Sequence, residues 1–191
     1  MLRKIAVLIS LACAIACAER PAPWDEAAAL RKGGGIATAT AQALVKRLTQ
    51  AMDEGGAAHA ASFCMVAAPI ITDSVADARG VRVKRVSDRQ RAAHNAPDPH
   101  EGERLREVLD RIASGIPPTE LTDQVFELRD SIAFYRPILI GMPLCLVCHG
   151  VPGETLDSAA HATILARHPG DAAIGYAAGD FRGLWSIRWP R

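Results

Sequence analysis

Leu184-Trp185-Ser186-Ile187-Arg188-Trp189 alternates large apolar residues with polar ones, the period-two pattern of a strand with one buried face. Upstream of it, Gly175-Tyr176, Gly179-Asp180 and Arg182-Gly183 space glycines as turns between short strands. Phe126 with Leu128, and then Ser131 to Ile140, read as two strands of a hairpin-like sheet, with Pro137 marking a bulge or an edge. Val81, Val83 and Val86 alternate with Arg82 and Lys84 as a further short strand. Helical patterns stand mostly ahead of these strands, and the combination predicts an α+β fold with an antiparallel sheet.

The first helical stripe is Ala41, Leu44, Val45, Leu48, Ala51 and Met52, expected to end at Gly55-Gly56. A second helix is expected from Ala57 toward Ala68, carrying His59, Cys64 and Met65 until Pro69 interrupts it. After a polar loop over Ser87 to Pro97, Asp98-Pro99-His100-Glu101 supplies an N-cap, a proline at the first helical position and a glutamate at the third. That is a capping box, and its helix should bury Leu105, Val108, Leu109 and Ile112 before Gly115 and Pro117-Pro118 end it. Leu156, Ala160 and Ile164 mark one more helix.

Twenty-two basic residues nearly balance 21 acidic ones in this 191-residue chain, so no basic field invites nucleic acid or a membrane surface. Arg3 and Lys4 precede an apolar run from Ile5 to Ala16, too short to span a bilayer as a mature helix and laid out as a signal peptide over residues 1–18. Cleavage after Ala18 and cleavage before Cys17, as in an imperfect lipobox with a lipid anchor, both fit. Either implies export to the periplasm, with the protein soluble or lipid-anchored. Pro21, Pro23 and Gly33-Gly34-Gly35 predict a flexible tether over residues 19–35, leaving residues 36–191 as a single domain.

The chemistry is concentrated in Cys145-Leu146-Val147-Cys148-His149. C-x-x-C-H is the spacing at which two thiols add to haem vinyl groups while the adjoining imidazole takes the iron. A structural disulfide, a thioredoxin-like redox pair and half of a zinc site compete with that reading. Export favours haem, because bacteria attach it outside the cytoplasm. Neither Cys64, His161 nor His168 stands in a second zinc-knuckle pattern, and the βαβ context of a thioredoxin pair is absent. Cys13 and Cys17 belong to the export segment, which leaves Cys64 without a partner. An enzyme is not expected: Asp171, Asp180 and Arg182 read as turn-forming aspartates and a propionate-pairing arginine. Arg85, Arg89 and Arg91 read as a solvated basic loop, with propionate contact as the lesser reading.

Several of these segments occur together in a known order. They are Cys64 with Ala68-Pro69-Ile70, Asn95-Ala96-Pro97-Asp98 with Glu101, Arg136-Pro137-Ile138, the run Cys145 to Gly150 with Pro152, His168-Pro169-Gly170-Asp171-Ala172-Ala173-Ile174-Gly175-Tyr176 and Gly179-Asp180-Phe181-Arg182-Gly183. In this the chain resembles the Tll-like family of c-type haem domains. The resemblance implies a PAS-like antiparallel sheet flanked by helices, one covalent haem c held through Cys145 and Cys148, and iron ligated by His149 and Cys64. His168 departs from the family, which tends to have tyrosine there.

Met65, Met142, His59, His94, His100, His161 and His168 are the other available sixth donors; motif position favours Cys64, whose thiolate would favour ferric iron. A redox or diatomic-gas sensor working through an unidentified partner protein is the expected function, and a one-electron carrier is the alternative.

Overall fold

The computed structural model describes residues 24–191. The expected signal segment, both cleavage sites, Cys17 and residues 19–23 of the expected tether lie outside the described residues. Helix α1 spans Glu26–Arg79; Asp25 caps it by accepting the Ala28 N–H at 2.9 Å, and Gly80 ends it in left-handed geometry. Strand β1 (Arg82–Val86), helix α2 (Pro99–Ala113), strands β2 (Gln124–Glu127) and β3 (Ser131–Leu139), helices α3 (Pro143–His149) and α4 (Ser158–Arg167), and strand β4 (Phe181–Pro190) follow.

An unbroken helix as long as α1 would run roughly 80 Å. It is broken at Gly55-Gly56, as the sequence predicts: Gly56 takes φ 70° and ψ −166°, a region essentially reserved for glycine. The chain folds back there into two arms. Ile36 and Ala37 of the first arm share one buried cluster with Ala76 of the second, and the Arg47 guanidinium stacks 5.4 Å from the Phe63 ring across the hairpin. By length and composition α1 could cross a membrane, but both arms contribute to this core.

The four strands are antiparallel in the order β1-β4-β3-β2. Trp185, Ile187 and Trp189 of β4 face the α1 hairpin with Val83 and Phe134, while Leu184 and Tyr135 face α2 with Leu105 and Val108. The sheet is therefore a layer between two helical layers, with a hydrophobic core on each face. The capping box is present in full: Asp98 accepts from the Glu101 N–H at 2.9 Å, and Glu101 accepts from the Asp98 N–H at 2.8 Å. Pro137 lies beyond the last β2 pairing, Gln124 with Tyr135, next to a register shift at Ile138/Leu139, so the missing N–H breaks no ladder on that side.

Three expectations are corrected. From Glu26 onward the expected tether is helix, and Gly33-Gly34-Gly35 lies inside it. A Cβ on Gly33 would collide with the fully buried Phe134 ring, and one on Gly34 would stand 2.8 Å from an Arg136 guanidinium nitrogen. These glycines thus allow helix and sheet to approach closely, which offsets a helix-propensity cost of about 1 kcal/mol each. Pro69 does not interrupt the second arm, which continues to Arg79 with Ala61, Ala68, Thr72 and Ala76 buried on either side of it. The glycines between 175 and 183 do not separate short strands. Residues 171–177 are irregular, and Gly183 lies within one ten-residue strand.

Candidate functional site

Cys145, Cys148 and His149 stand at i, i+3 and i+4 on α3, a spacing that puts all three on one helical face. Pro143 at the first helical position and the Gly150 N–H bonded to the Leu146 carbonyl at 2.7 Å define this short helix. Cys64 comes from the second arm of α1. It follows Ala57 and Ala61 at helical spacing, and those two meet Ala160, Ile164 and Cys148 in one apolar cluster. Cys64, Cys145 and Cys148 are all free thiols. Two residue sets far apart in sequence are thereby brought near one another.

Burial pushes the Cys148 thiol up to about 11; Arg91 opposes this and the nearby Cys64 reinforces it. Burial also raises the Cys64 thiol, against the pull of Arg85 and Arg91. A thioredoxin-like nucleophile needs the opposite shift, and the sheet has no parallel strand pair among the described residues. No group of three or more His, Cys, Asp or Glu side chains converges as a metal site among the described residues.

His149 is oriented by the loop that follows α4. Its Nδ1–H donates to the Ala173 carbonyl at 2.6 Å, which leaves Nε2 with its lone pair. Burial holds the imidazole well below its usual pKa, helped by Arg91 and Arg182. The Tyr176 N–H donates to the His149 carbonyl at 3.0 Å, and the Tyr176 ring stands edge-on to the imidazole at 6.2 Å. Arg91 fastens the loop: it grips the fully buried Asp171 carboxylate at 2.9–3.1 Å and donates to the carbonyls of Cys148 at 2.6 Å and Ala173 at 3.3 Å. Arg91 is therefore not part of a solvated basic loop. Arg85 lies in β1 with its guanidinium 5.9 Å from the Trp185 ring, and Arg89 donates to the Ala172 carbonyl at 3.2 Å and stacks 4.0 Å from Tyr176.

Met65 adjoins Cys64 on α1, and the other competing donors lie elsewhere. His59 is exposed beside Glu54, and His94 is exposed on a short turn. His100 bonds the Tyr135 hydroxyl at 2.8 Å on the α2 side of the sheet. His161 lines a surface depression of about 460 Å³ with Glu154 and Leu165, His168 caps the C-terminal end of α4, and Met142 is exposed ahead of α3. Asp180 accepts from the Ala177 N–H at 2.7 Å, the turn role expected of it. The Arg91–Asp171 clamp and the Ala173 carbonyl were not legible in the sequence, where Asp171 reads as a turn former; only the fold sets Arg91 opposite it.

A helical hairpin over a four-stranded antiparallel sheet, carrying a thiol–thiol–imidazole face on α3 and a third thiol on α1, defines a mixed helix-and-sheet domain. The Tll0287-like family model matches residues 26–190, and the chain belongs to that family. Among solved structures it is similar to one described as "Crystal structure of the cyanobacterial heme-protein Tll0287", at 20% identity and a TM-score of 0.63, covering 87% of this chain and 98% of that one. No curated protein matches.

Proposed function

We propose that the protein is an exported haem protein holding one haem c, and that it works as a redox or diatomic-gas sensor. Cys145 and Cys148 would carry the thioether bonds, and His149 Nε2 and the Cys64 sulfur would be the donors that hold the iron. The residues fit that group: two free thiols one helical turn apart, an imidazole whose Nδ1–H is already donated, and a Tyr176 hydroxyl that is buried without a partner. When bound, haem supplies one-electron exchange and a position that opens to a small gas when an axial donor leaves.

The observation that carries the reading is the arrival of Cys64 beside Cys148, 84 residues later in the chain, on the face that also bears His149. The Ala173 carbonyl fixes the imidazole and increases its donor strength, while Arg91 donates to that carbonyl and Asp171 accepts from the Ala173 N–H. Arg85 and Arg91 stabilise negative charge on the Cys64 sulfur. The PAS-like description rests on the helix-flanked antiparallel sheet, and periplasmic location, free or anchored through Cys17, rests on residues 1–18. A one-electron carrier is the second reading, favoured by α3, whose Pro143 is exposed and whose other residues are only half-buried.

The test uses full-length protein expressed in a host that attaches haem. Haem that stays on the chain through denaturing electrophoresis, and is lost in Cys145→Ala with Cys148→Ala, supports covalent binding; haem extracted by acid acetone contradicts it. Rapid carbon monoxide or nitric oxide binding to the reduced protein supports the sensor. Fast self-exchange with no gas binding supports the carrier.

A further inference from the structure

Arg85 and Arg182 stand beside the site without an ion pair among the described residues. Arg182 lies near the start of β4 with its guanidinium 5.5 Å from the centre of the Tyr176 ring, and Tyr176 packs edge-on against His149. Arg85 comes from the neighbouring strand, on the face that carries Trp185 and looks toward α1 and Cys64. Each guanidinium is lowered from its ordinary pKa, first by burial, and Arg182 adds to the effect on Arg85. The Tyr176 hydroxyl, in a side chain only 2% exposed, has no hydrogen-bond partner.

Two close, partly buried cations and a buried orphan hydroxyl form an arrangement that a fold does not keep for its own stability. The charges give the missing group. Arg85, Arg89, Arg91 and Arg182 bring four positive charges to this site, while Asp171, committed to Arg91, and exposed Asp88 bring two negative ones. Two negative charges with hydrogen-bond-accepting oxygens are lacking. We propose that Arg85, Arg182 and the Tyr176 hydroxyl form a carboxylate-binding set beside His149, and that they take the two propionates of the haem. This rests on the haem reading above and adds the residues that fix which end of the macrocycle points toward β1 and β4. For Arg182 this is the propionate pairing that the sequence suggests; for Arg85 it takes the lesser of the two sequence readings in place of the solvated loop.

Arg85→Gln, Arg182→Gln, Tyr176→Phe and the charge-keeping Arg85→Lys test this in haem-loaded protein, alongside the same variants made without haem. Resonance Raman of the propionate bending bands should shift in the two glutamine variants and in Tyr176→Phe, and stay closer to wild type in Arg85→Lys. The glutamine variants should also reverse sign between states: unchanged or higher Tm without haem, where an uncompensated charge is removed, and lower Tm with haem, where a carboxylate loses its partner. Haem-loaded glutamine variants with unmoved bands and no such reversal would overturn the assignment while leaving the haem reading intact. A wild-type chain that takes up no haem would overturn both.

Discussion

The two faces of the sheet treat buried charge in different ways. On the α2 face, Glu101 is 2% exposed and both its oxygens are used: one accepts from Ser186 at 2.7 Å, the other from Lys84 at 2.6 Å and from the Asp98 backbone. Asp98 in turn pairs with Arg188, whose Nε and Nη2, like Arg104 Nε on α2, have no hydrogen-bond partner among the described residues. On the other face, toward α3, Asp171 is as deeply buried and fully paired, but around it stand free thiols, an imidazole with an open nitrogen, two unpaired arginines and an orphan phenol. On the first face the buried acids are neutralised by cations of the chain itself. On the second, Arg85 and Arg182 have no acid partner among the described residues, which is where the proposed haem would contribute.

The sharpest way to break the comparison is to remove the buried acid from each side. Glu101→Ala and Asp171→Ala should each cost about 3–5 kcal/mol, because each strands a buried cation; urea unfolding measures it. The consequences should then diverge. Glu101→Ala should leave the absorption spectrum of haem-loaded protein unchanged, whereas Asp171→Ala should alter it by freeing the loop that carries Ala173. A spectrum altered equally by both would erase the distinction.

Smaller effects follow at the helix hairpin. Gly33→Ala drives a Cβ into Phe134 and should cost about 1–3 kcal/mol by overpacking. Gly56→Ala, at φ 70°, should cost roughly 1–3 kcal/mol and shift the arm that carries Cys64, seen as a changed spectrum alongside the lowered Tm.

The mildest test is pH. Cys148 is raised from 9.0 to about 11 in the folded chain, so between those values the folded state holds a proton that the unfolded state has released. Stability of the haem-free protein should therefore fall as pH rises through that window. At pH 8 alkylation of Cys148 should be about a hundredfold slower than that of an ordinary thiol, since thiolate is the reactive form. Equal rates before and after unfolding in urea would contradict the burial assigned to it.

What the sequence makes legible follows from how local each signal is. The capping box at Asp98–Glu101, the Trp185–Trp189 alternation and the three donors on α3 depend on neighbours a few residues away. Gly33-Gly34-Gly35 has the composition of a linker, and only Phe134 and Arg136, about a hundred residues later, explain why Gly33 and Gly34 stand in a helix. Pro69 reads as a helix stop because the packing that carries the helix past it comes from other elements. The same limit hid the Arg91–Asp171 clamp, while the Arg85–Arg182 pair becomes visible only when β1 and β4 are set side by side.

The most direct test of the account is electron paramagnetic resonance, with absorption, of the ferric haem-loaded protein and its Cys64→Ala variant. The account predicts a low-spin thiolate signature in the wild type that disappears in the variant, while Met65→Leu and His168→Ala retain it. A ferric spectrum unchanged by Cys64→Ala would contradict the pairing of Cys64 with His149 on one iron.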